Sequence, residues 1–168
     1  MLLAIDVYYF QEQANAAGVL FNDWSDEKPQ SVIIERCTQV AAYESGQFYK
    51  RELPCILQLL SVITEPIDYI IVDGYVTLGA EKKAGLGMHL YQALGAQNKT
   101  IPIIGVAKTQ FAGTPMECEV LRGQSHQPLY VTVVDIELEQ AKQAIKRMHG
   151  DYRLPTLLKE VDRLCRHI

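Results

Sequence analysis

Four carboxylates stand where such groups are either costly or useful. Asp6 interrupts the apolar run MLLAIDVYYF, and an acid inside an otherwise apolar strand is expensive unless it is paired or bound to a metal. Asp73 follows the apolar segment 69–72, at the C-terminal end of a strand, where ligand sites of α/β sheets collect. Glu52 begins a helical pattern, where a carboxylate favours the positive end of the helix dipole. Asp162 lies one turn from Leu158 on the last helical segment, beside its apolar stripe rather than opposite it. Such oxygen donors suit a hard cation such as Mg²⁺. Each also has a plainer reading: Asp73-Gly74 as a strand-ending turn, Glu52 as a first-turn acid, Asp162 as partner to Arg166 four residues on. Spacing alone does not make the four converge.

Other reactive side chains are less pointed. Lys82 and Lys83 follow a Gly-containing loop at an expected helix start, a place to meet phosphates or to form a solvated pair. His89, His126, His149 and His167 have no partner at useful spacing, and His89 reads as packed or exposed near the apolar face of its helix. Cys37, Cys55, Cys118 and Cys165 are scattered, with no CxxC pair and no His in zinc spacing, so they read as buried, reduced thiols.

The elements that would position these groups follow from periodicity. Residues 2–10 read as a strand with Leu2, Ala4, Asp6 and Tyr8 on one face and Leu3, Ile5, Val7 and Tyr9 on the other. Strands are expected at 16–21 and 32–37, completing an antiparallel meander around the turn NDWSDEKPQ. The pattern then changes. Helical spacing over 54–63 and 82–94, with Gly95 as a stop, alternates with short apolar strands at 69–72 and 101–106, which indicates parallel βαβ pairing. A hairpin of 119–121 with 129–134 is expected next. Asp135 is positioned to cap a helix that ends at Gly150, and Pro155 to open the last one.

The chain of 168 residues, 48% apolar and 21% charged, suits one globular domain over 1–168 with a substantial core. It excludes a disordered tail, a collagen-like chain and a disulfide scaffold. The N-terminal segment lacks a basic leader, and no apolar run approaches a membrane span, so a cytoplasmic protein is expected, with no membrane partner. Its net charge of −4, taken bluntly, argues against a nucleic-acid partner.

Six short blocks say otherwise. ID at 5–6, RELP at 51–54, VDG at 72–74, IGVAK at 104–108, PLYV at 128–131 and YRLP at 152–155 appear in family order across nearly the whole chain, and together they resemble endonuclease V. The resemblance implies an α/β, ribonuclease H-like fold: a mixed five-stranded sheet, three antiparallel strands then parallel ones, flanked by helices. It implies Mg²⁺-dependent hydrolysis, with Mn²⁺ as a substitute, of a phosphodiester bond on the 3′ side of hypoxanthine in DNA or RNA, typically the second such bond. By position, Asp6, Glu52 and Asp73 match the family's metal-site acids. Asp162 falls where many members carry a further Asp or His, and Lys108 matches the lysine that approaches the reacting phosphate. Arg51, Gly74 and Lys82 are expected to contact substrate.

The departures concern substrate handling. The family's strand-separating wedge, roughly PYxPG, is AYESG here: Tyr43 and Gly46 are kept as substrate contacts, while Ala42 and Ser45 replace the prolines. Tyr43 retains a ring on which an unstacked base can lie, on a loop that is less pre-organised without proline. Gly79 stands where the family has a histidine, and Val133 and Val134 replace a glycine expected after PLYV. The chain is also shorter than most members. These changes motivate an alternative, a non-catalytic or retargeted nucleic-acid binder on the same scaffold. Charge no longer opposes either reading. Setting aside the four proposed ligands leaves sixteen acids against sixteen bases, so the acidic excess equals one metal cluster.

Overall fold

A computed structural model of the chain describes residues 1–38, 42, 44–45, 47 and 49–167. Three strands, β1 (Leu2–Phe10), β2 (Gln13–Phe21) and β3 (Ser31–Cys37), form the antiparallel meander. β4 (Tyr69–Asp73) pairs parallel with β1, and β7 (Ile103–Ala107) pairs parallel with β4. A small separate hairpin, β5 (Thr77–Leu78) with β6 (Lys83–Ala84), lies between them in the chain. The expected hairpin forms from β8 (Glu119–Val120) and β9 (Leu129–Val134), and β9 joins β7 antiparallel. The main sheet is therefore seven-stranded, in the order β3-β2-β1-β4-β7-β9-β8. Its first five members in that order are the expected mixed sheet. The hairpin adds two more strands because β9 finds the open edge of β7.

The alternation read from residues 2–10 holds. Leu2, Ala4 and Tyr8 pack on the face covered by α3 (Leu138–Arg147) and α4 (Thr156–Cys165), together with Ile71, Ile104 and Val106. Leu3, Ile5, Val7 and Tyr9 pack on the opposite face, beneath α1 (Tyr49–Ser61) and α2 (Leu86–Ala96). The sheet is thus a wall between two apolar layers, each supplied by every second strand residue.

Several boundaries differ from expectation, for identifiable reasons. α1 begins at Tyr49 rather than at Pro54, which lies inside the helix, so Glu52 sits in its first turn. The helix expected from residue 82 starts at Leu86, because Lys82 has φ +53° in the turn of the β5–β6 hairpin. Gly95 does not stop α2, which continues to Ala96. Asp135 does not cap α3: it has φ +65°, and Glu137 holds the N-cap position. α3 ends at Arg147, ahead of Gly150. Pro155 precedes α4 as expected, at its N-cap. The four cysteines are free and buried. No helix among the described residues is long and apolar enough to cross a membrane.

Candidate active site at the strand ends

Register turns the linear pattern into a site. Ile5 is level with Val72 in the parallel β1–β4 pair, so Asp6 and Asp73 each lie one residue past a shared rung. Ala4, Ile71 and Val106 all belong to the core layer beneath α3 and α4. Asp6 and Asp73 stand two residues further along β1 and β4, and Lys108, two past Val106, lies just beyond β7; the period of two turns all three to that same face. β4 and β7 run out of core at their C-terminal ends, level with Asp6 midway along β1, and there the three polar groups meet.

α4 covers this face and contributes Asp162. One ligand atom each of Asp6, Asp162 and Cys165 lie within 4.8 Å of one another. Lys108 Nζ stands 3.4 Å from Asp73 Oδ2 and 3.8 Å from Asp162 Oδ1. Arg166 Nε donates to Asp162 Oδ1 at 3.0 Å, so the pairing anticipated from spacing coexists with a place in the cluster. Asp6 Oδ1 accepts the N–H of Val7 at 2.8 Å. A cavity of about 20 Å³ lies among Asp6, Asp73, Lys108, Leu154, Leu158 and Val161, room for about one water or a bare cation.

Glu52 approaches from the other side of the sheet, on the first turn of α1. With Asp73, Gly74, Tyr75, Tyr49 and Phe111 it lines an open cleft of about 500 Å³. Asp73 is common to both cavities and so joins the acidic cluster to the cleft. On the cleft wall, the Tyr75 hydroxyl donates to the carbonyl of Thr109 at 2.7 Å and accepts the N–H of Phe111 at 3.0 Å. Tyr49 stacks on His89 with ring centroids 3.6 Å apart, which gives His89 a packing role between α1 and α2.

The electrostatics are those of crowded anions around one buried member. Asp6 is 9% exposed. Burial and then the Asp73 charge push its carboxyl up to about 7, against the opposing pull of Lys108. Burial, then Asp6, then Asp73, push Glu52 up to about 8. Asp73 is raised as well, chiefly by burial, although Lys108 opposes it. Asp162 goes the other way: burial raises it, but the hydrogen bond from Arg166 and the charge of Lys108 outweigh that and hold it low. Lys108, Arg166 and Arg51 are fewer than the four carboxylates they adjoin. The carboxylate oxygens of Asp6 and Asp162, beside Asp73, are donors of the kind that suits a divalent hard cation.

The remaining expected residues are placed less centrally. The Arg51 guanidinium lies 4.0 Å above the Tyr9 ring, next to Glu52. Gly74 adopts φ +133°, and its N–H donates to the carbonyl of Val106 at 3.1 Å. Gly105 lets this turn close, since a Cβ there would fall 2.6 Å from the Gly74 oxygen. Lys82 lies away from the Glu52 cleft, beside Gly79 and Glu117, while Lys83 lines that cleft. Gly79 has φ +71° and faces the Phe111 ring. Tyr43 and Gly46 lie outside the described residues. Two features escaped sequence reasoning. Cys165 sits three residues after Asp162, so the helical period that buries Val161 and Cys165 was the available signal. Arg153 belongs to the YRLP block, but nothing in its spacing revealed what it touches.

Known proteins match this arrangement. The family model described as Endonuclease V matches residues 1–163. Endonuclease V of Xanthomonas campestris pv. campestris (strain B100) is 28% identical over 137 residues, 81% of this chain and 55% of that protein. The chain thus spans about half the length of the curated relatives it matches. The crystal structure of Endonuclease V from Streptomyces avermitilis is 25% identical with a TM-score of 0.75, covering 98% of this chain and 79% of that one. Ciona intestinalis Endonuclease V, solved in complex with a 24mer DNA containing an inosine followed by a ribo-adenosine, has a TM-score of 0.76 at 20% identity, over 98% of this chain and 84% of that one. At 10% identity and a TM-score of 0.55, Marinitoga piezophila Argonaute shares the fold alone, over 98% of this chain and 29% of that one. With the sheet order and a family match over nearly all its length, the chain belongs to the endonuclease V family.

Proposed function

We propose that this chain is a metal-dependent endonuclease that hydrolyses a phosphodiester bond on the 3′ side of hypoxanthine in DNA or RNA. The observation that carries the reading is the grouping of Asp6, Asp73 and Lys108 around one cavity, with Asp73 shared with the cleft that Glu52 lines. Asp6, Asp73, Glu52 and Asp162 hold the cation. When bound there, Mg²⁺, or Mn²⁺ in its place, would supply Lewis-acid chemistry, a more acidic attacking water and charge to offset the phosphate. Lys108 presents a fixed ammonium where negative charge grows on the phosphate oxygens, and a preorganised charge of this kind acts without reorganising during the reaction. An unstacked base enters the cleft beside Glu52, between the walls of Tyr75, Phe111 and Tyr49. Gly74 forms a wall with no side chain, and Arg51, Lys82, Tyr43 and Gly46 act on the flanking strand.

The test is single-turnover cleavage of inosine-containing and adenosine-containing oligonucleotides, as DNA and as RNA, in Mg²⁺, Mn²⁺ or EDTA. Nicking 3′ to inosine only, lost in EDTA and in Asp6→Ala or Asp73→Ala, is expected. Equal cutting of control strands, or unchanged cutting by either variant, refutes the reading. Gly79, packed against Phe111 where the family has a histidine, favours the second reading of a binder that does not cut. A gel shift with inosine-containing strands and no turnover in either metal identifies it.

A further inference from the structure

Lys108 follows the last residue of β7, and the ladder with β9 ends there. Ala107 pairs with Tyr130, and two steps further out, opposite Thr109, stands Pro128, which has no N–H to donate. The carbonyls of Lys108, Gln127 and Pro128 are taken up instead by a single guanidinium. Arg153 Nη2 donates to the Lys108 carbonyl and, at 2.8 Å, to that of Pro128. Its Nε is shared between the carbonyls of Gln127 at 3.1 Å and Pro128 at 3.3 Å. Arg153 thus bridges the chain just beyond the end of β7 to the chain just before β9.

Arg153 is itself on an irregular segment between α3 and α4, which would ordinarily be free to shift. A second arginine, this one buried, prevents this. Arg122, 5% exposed, donates through Nη1 to the carbonyls of Tyr152 at 2.6 Å and Arg153 at 3.4 Å. Through Nη2 it donates to Met148 at 2.6 Å and Gly150 at 3.1 Å. Four carbonyls from residues 148–153 therefore converge on one cation. Gly123, at φ +59°, lies against this segment so closely that a Cβ would fall 2.2 Å from the Asp151 oxygen. The planar fork suits such multidentate binding, and a lysine ammonium does not reproduce it.

We propose that Arg153 is a positioning residue for Lys108: by fixing the Lys108 carbonyl it aims the ammonium between Asp73 and Asp162, and Arg122 fixes the segment that presents Arg153. This rests on the nuclease reading above in so far as Lys108 meets the reacting phosphate. Displacement of a catalytic group by about 1 Å costs on the order of 100-fold in rate, so Arg153→Ala is expected to lower kcat by roughly 10- to 100-fold, with KM changed less than about threefold. Arg153→Lys, which keeps a cation but loses the fork, should fall between that variant and the parent. The decisive readout is the double variant: if Arg153 acts through Lys108, adding Arg153→Ala to Lys108→Ala leaves kcat unchanged within about twofold. Multiplying losses, or a KM effect alone, overturn the proposal.

A second measurement needs no turnover and separates this proposal from the nuclease reading. In metal-free protein with ¹³C-methylated lysines, the Lys108 resonance is identified by its absence in Lys108→Arg. It should move toward the position of exposed lysines in Arg153→Ala, or in Arg153→Lys should the alanine variant not fold. An unmoved resonance in a folded variant overturns the positioning role even if the wild-type chain cuts nothing. A wild-type chain that cuts nothing while the resonance does move refutes the nuclease reading and leaves the positioning role standing.

Discussion

Replacing Asp6 with asparagine should make the metal-free protein more stable while ending its chemistry. In the fold the Asp6 carboxyl is pushed up to about 7 from an ordinary 3.8, first by burial and then by Asp73. A folded-state value above the unfolded one means that the native protein holds the proton more tightly, so stability falls as pH rises from about 3.8 to about 7 and is level beyond. A difference of about 3 pH units corresponds to about 4 kcal/mol lost on full ionisation. Asp6→Asn removes the charge and keeps an oxygen for the Val7 N–H, but its amide N–H₂ gains only partial hydrogen bonding, so about 2 kcal/mol should be recovered. At 2–4 °C per kcal/mol, roughly the scale for a chain of this length, Tm should rise by about 4–8 °C. The assay is thermal unfolding in EDTA at pH 8 and at pH 5, then at pH 8 with Mg²⁺. The gain should be present at pH 8 and largely absent at pH 5, where Asp6 is already protonated. With Mg²⁺ the wild type should close most of the gap, since a ligand that binds only the native state stabilises it. A variant no more stable than wild type at pH 8 without metal would show that Asp6 carries its charge at no cost, and the burial argument would fail.

Other expectations follow from the same geometry. Lys108→Ala should lower the cleavage rate by about 100- to 1,000-fold with Tm nearly unchanged, because Lys108 is a third exposed and its partners Asp73 and Asp162 are also partly solvated; a rate within fivefold of wild type contradicts its role. Gly105→Ala should lower both Tm and activity, because its Cβ would fall 2.6 Å from the Gly74 oxygen and 2.8 Å from the Val76 nitrogen, backbone atoms that must move and take Asp73 with them. Wild-type Tm and rate in that variant would refute the packing argument. A thiol reagent should label none of the four buried cysteines readily in native protein and all four after unfolding; fast native labelling of Cys55, whose thiol burial pushes up to about 12, would contradict its placement.

Much of the scaffold was legible locally. The alternation through β1 assigned every residue from Leu2 to Tyr9 to the correct face, because a strand between two core layers writes its two faces into odd and even positions. Asp6 was conspicuous for the same reason. Boundaries were read less well where a neighbour overrides propensity. The start of α2 is delayed by the β5–β6 hairpin, in which Lys82 turns the chain. α1 extends five residues before its proline, where the composition YKREL carries no strong apolar period. β9 was expected only as half of a hairpin, since nothing in LYVTVV names β7 as its second neighbour.

For the site, the sequence determined which groups are available: the acids at 6, 52, 73 and 162 and the lysine at 108, each set in or beside an apolar segment, where the change of polarity is visible one residue at a time. Their meeting was decided by tertiary structure alone. Asp6 and Asp73 adjoin because β1 and β4 pair parallel with Ile5 beside Val72, a register set by long-range hydrogen bonds and not by either segment. Glu52 arrives from the opposite layer, and Cys165 joins the cluster only because α4 packs across β1. The Lys108 ammonium lies between two carboxylates, and Arg153 and Arg122 grip seven backbone carbonyls between them. Backbone carbonyls are alike at every residue, so no sequence pattern marks the ones that an arginine will hold.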